Sequence, residues 1–148
     1  MEIKIYTDGA CVGNPGPGGW SAIILEETGK KELFGGEKLT TNNRMELTAA
    51  IKALEYCNKQ EGKQPSLKQI KIFTDSNYVK EGITVWIENW EKNNWKTADK
   101  KNVKNVDLWK QLKELVKSNQ VEWNWIKGHS NDPMNDLADR LAKKSTPI

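Results

Sequence analysis

The chain has 148 residues, 36% hydrophobic and 29% charged, with a net charge of +3; this is the size of one domain and enough to bury roughly 70% of its unfolded surface. Seven Trp, three Tyr and two Phe exclude a disordered chain. No apolar run reaches the roughly 18 residues of a membrane span, Met1-Glu-Ile-Lys4 lacks the apolar stretch of a signal peptide, and Cys11 and Cys57 alone make no disulfide framework, so a single cytoplasmic domain without membrane association is expected.

Glu2 to Ala10 reads as a strand, with Ile3, Ile5 and Thr7 on one face and Lys4, Tyr6 and Asp8 on the other. Gly13-Asn-Pro-Gly-Pro-Gly-Gly19 reads as a turn and matches neither a dinucleotide-binding nor a P-loop glycine pattern. Strands follow at Trp20–Glu26 and Lys31–Lys38 around a turn at Thr28-Gly29-Lys30, making an antiparallel meander. Asn42 to Lys59 has Leu47, Ile51, Leu54 and Cys57 at helical spacing, and Gly62 and Pro65 end it. Leu67–Thr74 is the next strand. Ser76 opens a helical stretch that Gly82 interrupts and that Trp86, Ile87 and Trp90 resume.

A polar insertion runs from Glu91 to Asn105, and Asn105 can cap a helix carrying Leu108, Trp109, Leu112, Leu115 and Val116. Val121–Ile126 is a last strand, with Val121, Trp123 and Trp125 on one face. Asp132 is a good N-cap and Pro133 suits the first position of a last helix, in which Met134, Leu137, Ala138 and Leu141 form an apolar stripe. Five strands with helices after the third, fourth and fifth predict an α/β fold. Its sheet is five-stranded and mixed, three antiparallel strands plus two parallel, flanked by helices.

Charge is unevenly spread. Residues 92–104 hold Lys92, Lys96, Lys100, Lys101 and Lys104 against Asp99, a local +4 that leaves −1 for the rest. With Trp86, Trp90 and Trp95 around it, the block has the form of a nucleic-acid footprint, although a solvated charged face is the commoner meaning of such a run.

Two strand ends repeat one pattern, Tyr6-Thr7-Asp8-Gly9 and Phe73-Thr74-Asp75-Ser76. The helix between them can serve as the crossover between parallel neighbours about 4.8 Å apart. Two carboxylates that close repel unless a proton or a divalent cation lies between them, and hard oxygen donors favour Mg²⁺ or Mn²⁺. For either residue alone, an ordinary turn-forming Asp is the competing reading. Asn43-Arg44-Met45-Glu46 adds a third carboxylate, which the spacing equally allows as a capping box between Asn43 and Glu46. Asp139 can pair with Lys143, and Asp136 with Arg140, so helix position does not choose between the two aspartates. Asn135 and Asp139 share one helical face. His129, the sole histidine, follows Gly128 in a loop and suits a surface residue or a mobile proton carrier. No sulfur or imidazole cluster for zinc occurs, and no G-x-S-x-G.

Together these residues resemble type 1 ribonuclease H, the bacterial-like form that cleaves RNA in RNA/DNA hybrids. Five stretches carry the resemblance in order. They are Thr7-Asp-Gly9 with Gly13 to Trp20; Thr41-Asn-Asn-Arg-Met-Glu-Leu47; Thr74-Asp-Ser-Asn-Tyr-Val79; Gly82-Ile-Thr84 on to Asn105-Val-Asp-Leu-Trp109; and Lys127-Gly-His129 with Asn135 and Ala138-Asp-Arg-Leu-Ala142. The resemblance implies the ribonuclease H fold and makes Asp8, Glu46, Asp75 and Asp139, rather than Asp136, the acidic ligands of two Mg²⁺ ions, with Mn²⁺ as a substitute. It implies that His129 assists proton transfer and product release. Asn14, Asn42, Ser76 and Asn77 fall on positions that contact the hybrid in the minor groove, Asn77 where Gln is usual. Trp86 and Trp90 with the Lys-rich insertion, including Lys96, Lys100 and Lys101, resemble the protrusion that grips the DNA strand. Thr41 and Asn89 fall near its phosphate pocket, and Asn135 is likewise expected among the substrate-binding residues.

The implied reaction is hydrolysis of the RNA strand by two-metal-ion catalysis, giving 5′-phosphate and 3′-hydroxyl ends, by a monomer without an obligate protein partner. A related acidic-sheet nuclease (integrase, resolvase or exonuclease) and a non-catalytic hybrid-binding module are the rivals. The Asn42-Asn43 segment and the basic insertion disfavour the first, and four intact carboxylates disfavour the second.

Overall fold

Three long strands open the chain: β1 (Glu2–Cys11), β2 (Gly16–Glu26) and β3 (Gly29–Thr40), paired as the expected antiparallel meander. In the computed structural model, which describes residues 2–27, 29–60, 69–117, 119–126 and 132–147, helix α1 (Asn42–Gln60) then crosses over to β4 (Gln69–Thr74). After β4 come α2 (Asn77–Glu81), a π-helical turn (Gly82–Trp86), α3 (Ile87–Lys92), α4 (Val106–Lys117), β5 (Gln120–Trp125) and α5 (Pro133–Lys144). The sheet order is β3-β2-β1-β4-β5, with β4 parallel to both β1 and β5, so the mixed sheet is the one the element order predicts. Thr28 of the first turn, the helix stop at Gly62 and Pro65, and Leu67 at the predicted start of β4 lie outside the described residues.

β1 is the central strand, and this decides its burial. On one face Ile3, Ile5, Ile70 and Ile72 pack against Leu47, Ile51 and Leu54 of α1 and Trp109 and Leu112 of α4. On the other, Tyr6 and Ile23 pack against Ala138 of α5, with Phe73, Leu137 and Leu141 around them. The alternation of Ile3 and Ile5 with Lys4 suggests a half-solvated strand, yet Tyr6 and Asp8 are also buried. A strand with helices on both faces has no wet side after its first residues. Each fully buried Ile or Leu contributes roughly 1.5–3 kcal/mol.

Three local expectations are corrected or refined. The glycine-rich segment is a turn only over residues 12–15, and β2 already begins at Gly16. Gly13 has the positive φ of a turn glycine (82°). Gly19 instead lies where a Cβ would stand 2.2 Å from the Ala142 carbonyl oxygen, so its residue type is set by how closely α5 crosses the strand. Gly82 interrupts the α-helix as expected, but by opening a π turn through which the backbone continues from α2 into α3. A Cβ there would lie 2.0 Å from the Trp109 ring, so it is close packing that requires glycine. Asn105 precedes α4 with φ +60°, but its side chain bonds to Arg44 and Tyr78 rather than capping the helix.

At α5 the expected start holds. The Asp132 carboxylate accepts from the backbone N–H of Met134 and Asn135, and Pro133 is the first helical residue. Among the described residues no helix is long and apolar enough to cross a membrane.

Candidate active site

The parallel register places Thr7 beside Thr74 and Thr74 beside Trp125. The residues that follow on the two inner strands, Asp8 and Asp75, therefore emerge at one end of the sheet. Glu46 reaches the same point from the second turn of α1. Gly9 permits this: a Cβ on it would lie 2.6 Å from the Glu46 backbone nitrogen, so β1 and α1 approach each other more closely than any larger residue allows.

Asp8, Glu46 and Asp75 each offer an oxygen within 4.8 Å of the others. Asp139, from α5, stands outside that compact trio but hydrogen-bonds to Asp8. The structure thus brings all four sequence-predicted carboxylates to one place from β1, α1, the end of β4 and α5. Asp139 also makes the pair with Lys143 that its spacing allows (3.0 Å), whereas Asp136 is exposed on another side of α5. Pairing and facing the cluster are compatible, and it is the packing of α5 that selects Asp139.

The capping-box alternative for Glu46 does not hold. α1 starts at Asn42, and the Thr41 hydroxyl accepts from the Arg44 backbone N–H. Glu46 Oε1 is instead buried with no hydrogen-bond partner among the described residues. A buried carboxylate oxygen left without a donor is costly unless a proton or a cation meets it.

Burial is the largest influence on all three inner acids, and their mutual repulsion adds to it. Asp8 is pushed up to about 8, by burial first and then by the charge of Asp75 and its contacts with Asp139, against the opposing bond from the Gly9 N–H at 2.9 Å. Glu46 is driven well above the carboxylate range by burial, then by Asp8 and Asp75. Asp75 is raised by burial and by Asp139, and its hydrogen bonds to Glu46 and Asp8 oppose the rise. The cluster therefore retains protons near neutrality unless positive charge is supplied. A divalent cation fits this donor set, which among the described residues is made of carboxylate oxygens.

Around the cluster, Asn14 and Asn42 are joined, the Asn42 N–H donating to Asn14 Oδ1 at 3.1 Å, with Thr41 adjacent. Ser76 is the N-cap of α2, its hydroxyl accepting from Val79 N–H, and Asn77 is the exposed first residue of that helix. Asn135 is buried on α5, one turn before Asp139. Trp86 is 36% exposed, and Trp90 is half-buried against the core. Asn89 is exposed on α3. Lys96, Lys100 and Lys101 are exposed in the segment between α3 and α4, and Lys96 Nζ bonds to Asn102 Oδ1. His129 lies outside the described residues.

An RNase H family model matches residues 1–146. The chain belongs to the ribonuclease H family. It is 54% identical over 142 residues to a ribonuclease H of Parvibaculum lavamentivorans, which covers 96% of this chain and 90% of that one. With a ribonuclease H of Dechloromonas aromatica the identity is 56% over 142 residues, covering 96% and 91%. The solved LC9-RNase H1, a type 1 RNase H with the type 2 active-site motif, superposes with a TM-score of 0.82 at 29% identity, covering 98% of this chain and 72% of that one. LC11-RNase H1, solved with an RNA/DNA hybrid, shares the fold (TM-score 0.73, 23% identity, 97% and 96% covered). The family is one of hydrolases acting as ribonucleases, and its use of a divalent metal accords with the Asp8, Glu46 and Asp75 cluster.

Sequence reasoning misses several residues that build this site. Arg44 donates to Asn105 Oδ1 (3.2 Å) and to both oxygens of Asp107 (3.2 and 3.0 Å), tying the start of α1 to the start of α4. Trp125 Nε1 donates to the Asp75 carbonyl oxygen at 3.2 Å and so fixes the backbone where β4 ends. Local spacing gives no signal for either, because the partners lie 61, 63 and 50 residues away.

Proposed function

We propose that this chain is an endoribonuclease that hydrolyses the RNA strand of RNA/DNA hybrids, with Asp8, Glu46, Asp75 and Asp139 holding two Mg²⁺ ions that Mn²⁺ can replace. The observation that carries this reading is the carboxylate cluster at the sheet end, with its buried Glu46 oxygen lacking a partner, in a chain of this family. When bound, the divalent ions supply the charge that activates water and stabilises the leaving 3′-oxygen.

The protein's own part is to fix four acids from four elements so that the donor set exists before substrate arrives. Asp8 and Asp75 are held by adjacent strands, Glu46 by the close approach of α1, and Asp139 by α5. Asn14, Asn42, Ser76 and Asn77 contact the hybrid in its minor groove, where the 2′-hydroxyl distinguishes RNA from DNA. Trp86, Trp90, Lys96, Lys100 and Lys101 grip the DNA strand, Thr41 and Asn89 hold one of its phosphates, and Asn135 also binds the substrate. These contacts are mostly to backbone, so cleavage shows little base-sequence preference. Water attacks phosphorus and the P–O3′ bond breaks, which leaves 5′-phosphate and 3′-hydroxyl ends; His129 assists the proton transfer that this requires and helps product leave.

The protein acts as a monomer without an obligate protein partner, in the cytoplasm, a reducing compartment that suits cysteines in no disulfide. The test is cleavage of a labelled RNA/DNA hybrid against RNA/RNA and DNA/DNA duplexes of one sequence, with Mg²⁺ and with EDTA. Hybrid-only, Mg²⁺-dependent release of 5′-phosphorylated RNA is expected. Equal cleavage of DNA duplex would favour the integrase or resolvase class instead.

A further inference from the structure

Lys143 lies one helical turn beyond Asp139, with its Nζ 3.0 Å from Asp139 Oδ2. As an exposed i,i+4 pair it contributes little to stability. Its place in the molecule matters more. Burial and the other carboxylates dominate at Asp8, Glu46 and Asp75. Among the described residues, Asp139 is the member of the four with a basic side chain at ion-pair distance, and it stands outside the compact trio. The Lys143 ammonium is close enough to feel Asp8 as well as Asp139. A positive charge thus stands at the open edge of a site otherwise made of acids.

We propose that Lys143 is the resident counter-ion of the metal-free site, neutralising Asp139 until a divalent cation takes that carboxylate, and so weakening the binding of that cation. The inference rests on the reading of the four carboxylates as a metal site. A cation shared between Asp8 and Asp139 must either draw Asp139 away from Lys143 or share it with the ammonium, and in both cases charges of like sign are brought together. The Lys143 side chain is 64% exposed and that of Asp139 37%, so water and salt weaken the effect. The consequence has two opposite signs. Without metal, Lys143 offsets carboxylate repulsion and stabilises the fold. With metal, it is a competitor. A pair that merely stitches α5 together has the first effect and not the second.

The experiment is calorimetric titration of Mn²⁺ into the intact protein without substrate, with thermal melts in EDTA and in saturating Mn²⁺. Lys143→Met keeps the apolar stem and removes the charge. It should bind Mn²⁺ ~3- to 10-fold more tightly than wild type, the range set by Coulomb attraction after screening. It should also melt lower than wild type in EDTA, with the gap closing or reversing in Mn²⁺. Lys143→Arg should match wild type in both. Lys144→Met, on the next residue of α5, removes the same net charge without touching Asp139 and should leave Mn²⁺ affinity unchanged. Equal or weaker Mn²⁺ binding by Lys143→Met, or equal tightening by Lys144→Met, overturns the inference while wild-type binding still supports the metal site. If wild type itself binds no Mn²⁺, both readings fall.

Discussion

The start of α1 stands between two polar clusters that differ in one respect, and Arg44 and Glu46, two residues apart, belong to one each. On Arg44's side, opposite partners meet. The guanidinium spans Asn105 and Asp107, Asn105 Nδ2 donates to the Tyr78 hydroxyl at 3.1 Å, and Trp109 Nε1 donates to the same oxygen at 3.1 Å. Asp107 is consequently held below the usual carboxylate range, chiefly by its bond to Arg44. On Glu46's side, like partners meet. Asp8, Glu46 and Asp75 face one another and all are raised. Polar groups satisfied from within the chain join its elements, whereas acids that satisfy one another only by retaining protons are arranged for something from outside.

The largest effect comes from dismantling the acidic side. Asp8→Asn should reduce hybrid cleavage by at least ~10³-fold, the scale of losing several kcal/mol of transition-state stabilisation. It should also raise the melting temperature in EDTA, because the cost of burying that carboxylate or keeping it protonated beside Asp75 is gone. The two clusters should slope oppositely with pH. Asp8 has a folded value of about 8 against an ordinary 3.8, so the folded state binds the extra proton. Metal-free stability therefore falls as pH rises from about 4 to 8. Asp107 is lowered from its ordinary 3.8, so its contribution is present above that pH and lost as pH falls through its lower folded value. Melts of wild type and Asp8→Asn in EDTA from about pH 2 to 8 check both, and Asp8→Asn should flatten the loss between pH 4 and 8. A wild-type melting temperature that rises over that interval contradicts the arrangement.

His129→Ala tests whether a proton carrier serves the acidic side. A positioned acid–base group contributes roughly 10²–10⁴-fold, and the low end or less is expected here because the metal ions already activate water. The loss should appear in kcat more than in KM, with an unchanged melt of the same preparation. An unchanged kcat with a lowered melting temperature makes His129 structural.

Replacing Lys96, Lys100 and Lys101 together by Gln leaves both clusters intact. KM should rise several-fold and its dependence on salt should flatten, with kcat nearly constant, since phosphate contacts release counter-ions but do no chemistry. A fall confined to kcat shows that this segment does not grip the substrate. The smallest change is expected from Arg44→Ala. Asp107 is 62% exposed, so the loss is about 1 kcal/mol, or roughly 2–4 °C in melting temperature for a chain of this size, with kcat near that of wild type. A loss of cleavage matching that of Asp8→Asn would mean that the two sides of α1 are one functional unit.

The sequence by itself determines the element order, the mixed sheet and the convergence of Asp8 with Asp75. Strand alternation, helical spacing and the crossover between parallel strands are all written in short stretches of chain. The repeated Thr-Asp at two strand ends needs only parallel pairing to bring its carboxylates together, and the register of Thr7 with Thr74 supplies it. Asp132 and Pro133 likewise announce α5, because a cap acts on the N–H groups two and three residues ahead. Tertiary structure alone decides between partners that local spacing leaves equal. It selects Asp139 over Asp136 by the way α5 packs, frees Glu46 from a capping role by starting α1 at Asn42, and commits Asn105 to Arg44 and Tyr78. It also makes Gly19 and Gly82 points of contact where the sequence suggests a turn and a break. The physical reason is common to all of these: hydrogen bonding along one segment is local, but the distance at which two segments approach is set by every side chain packed between them.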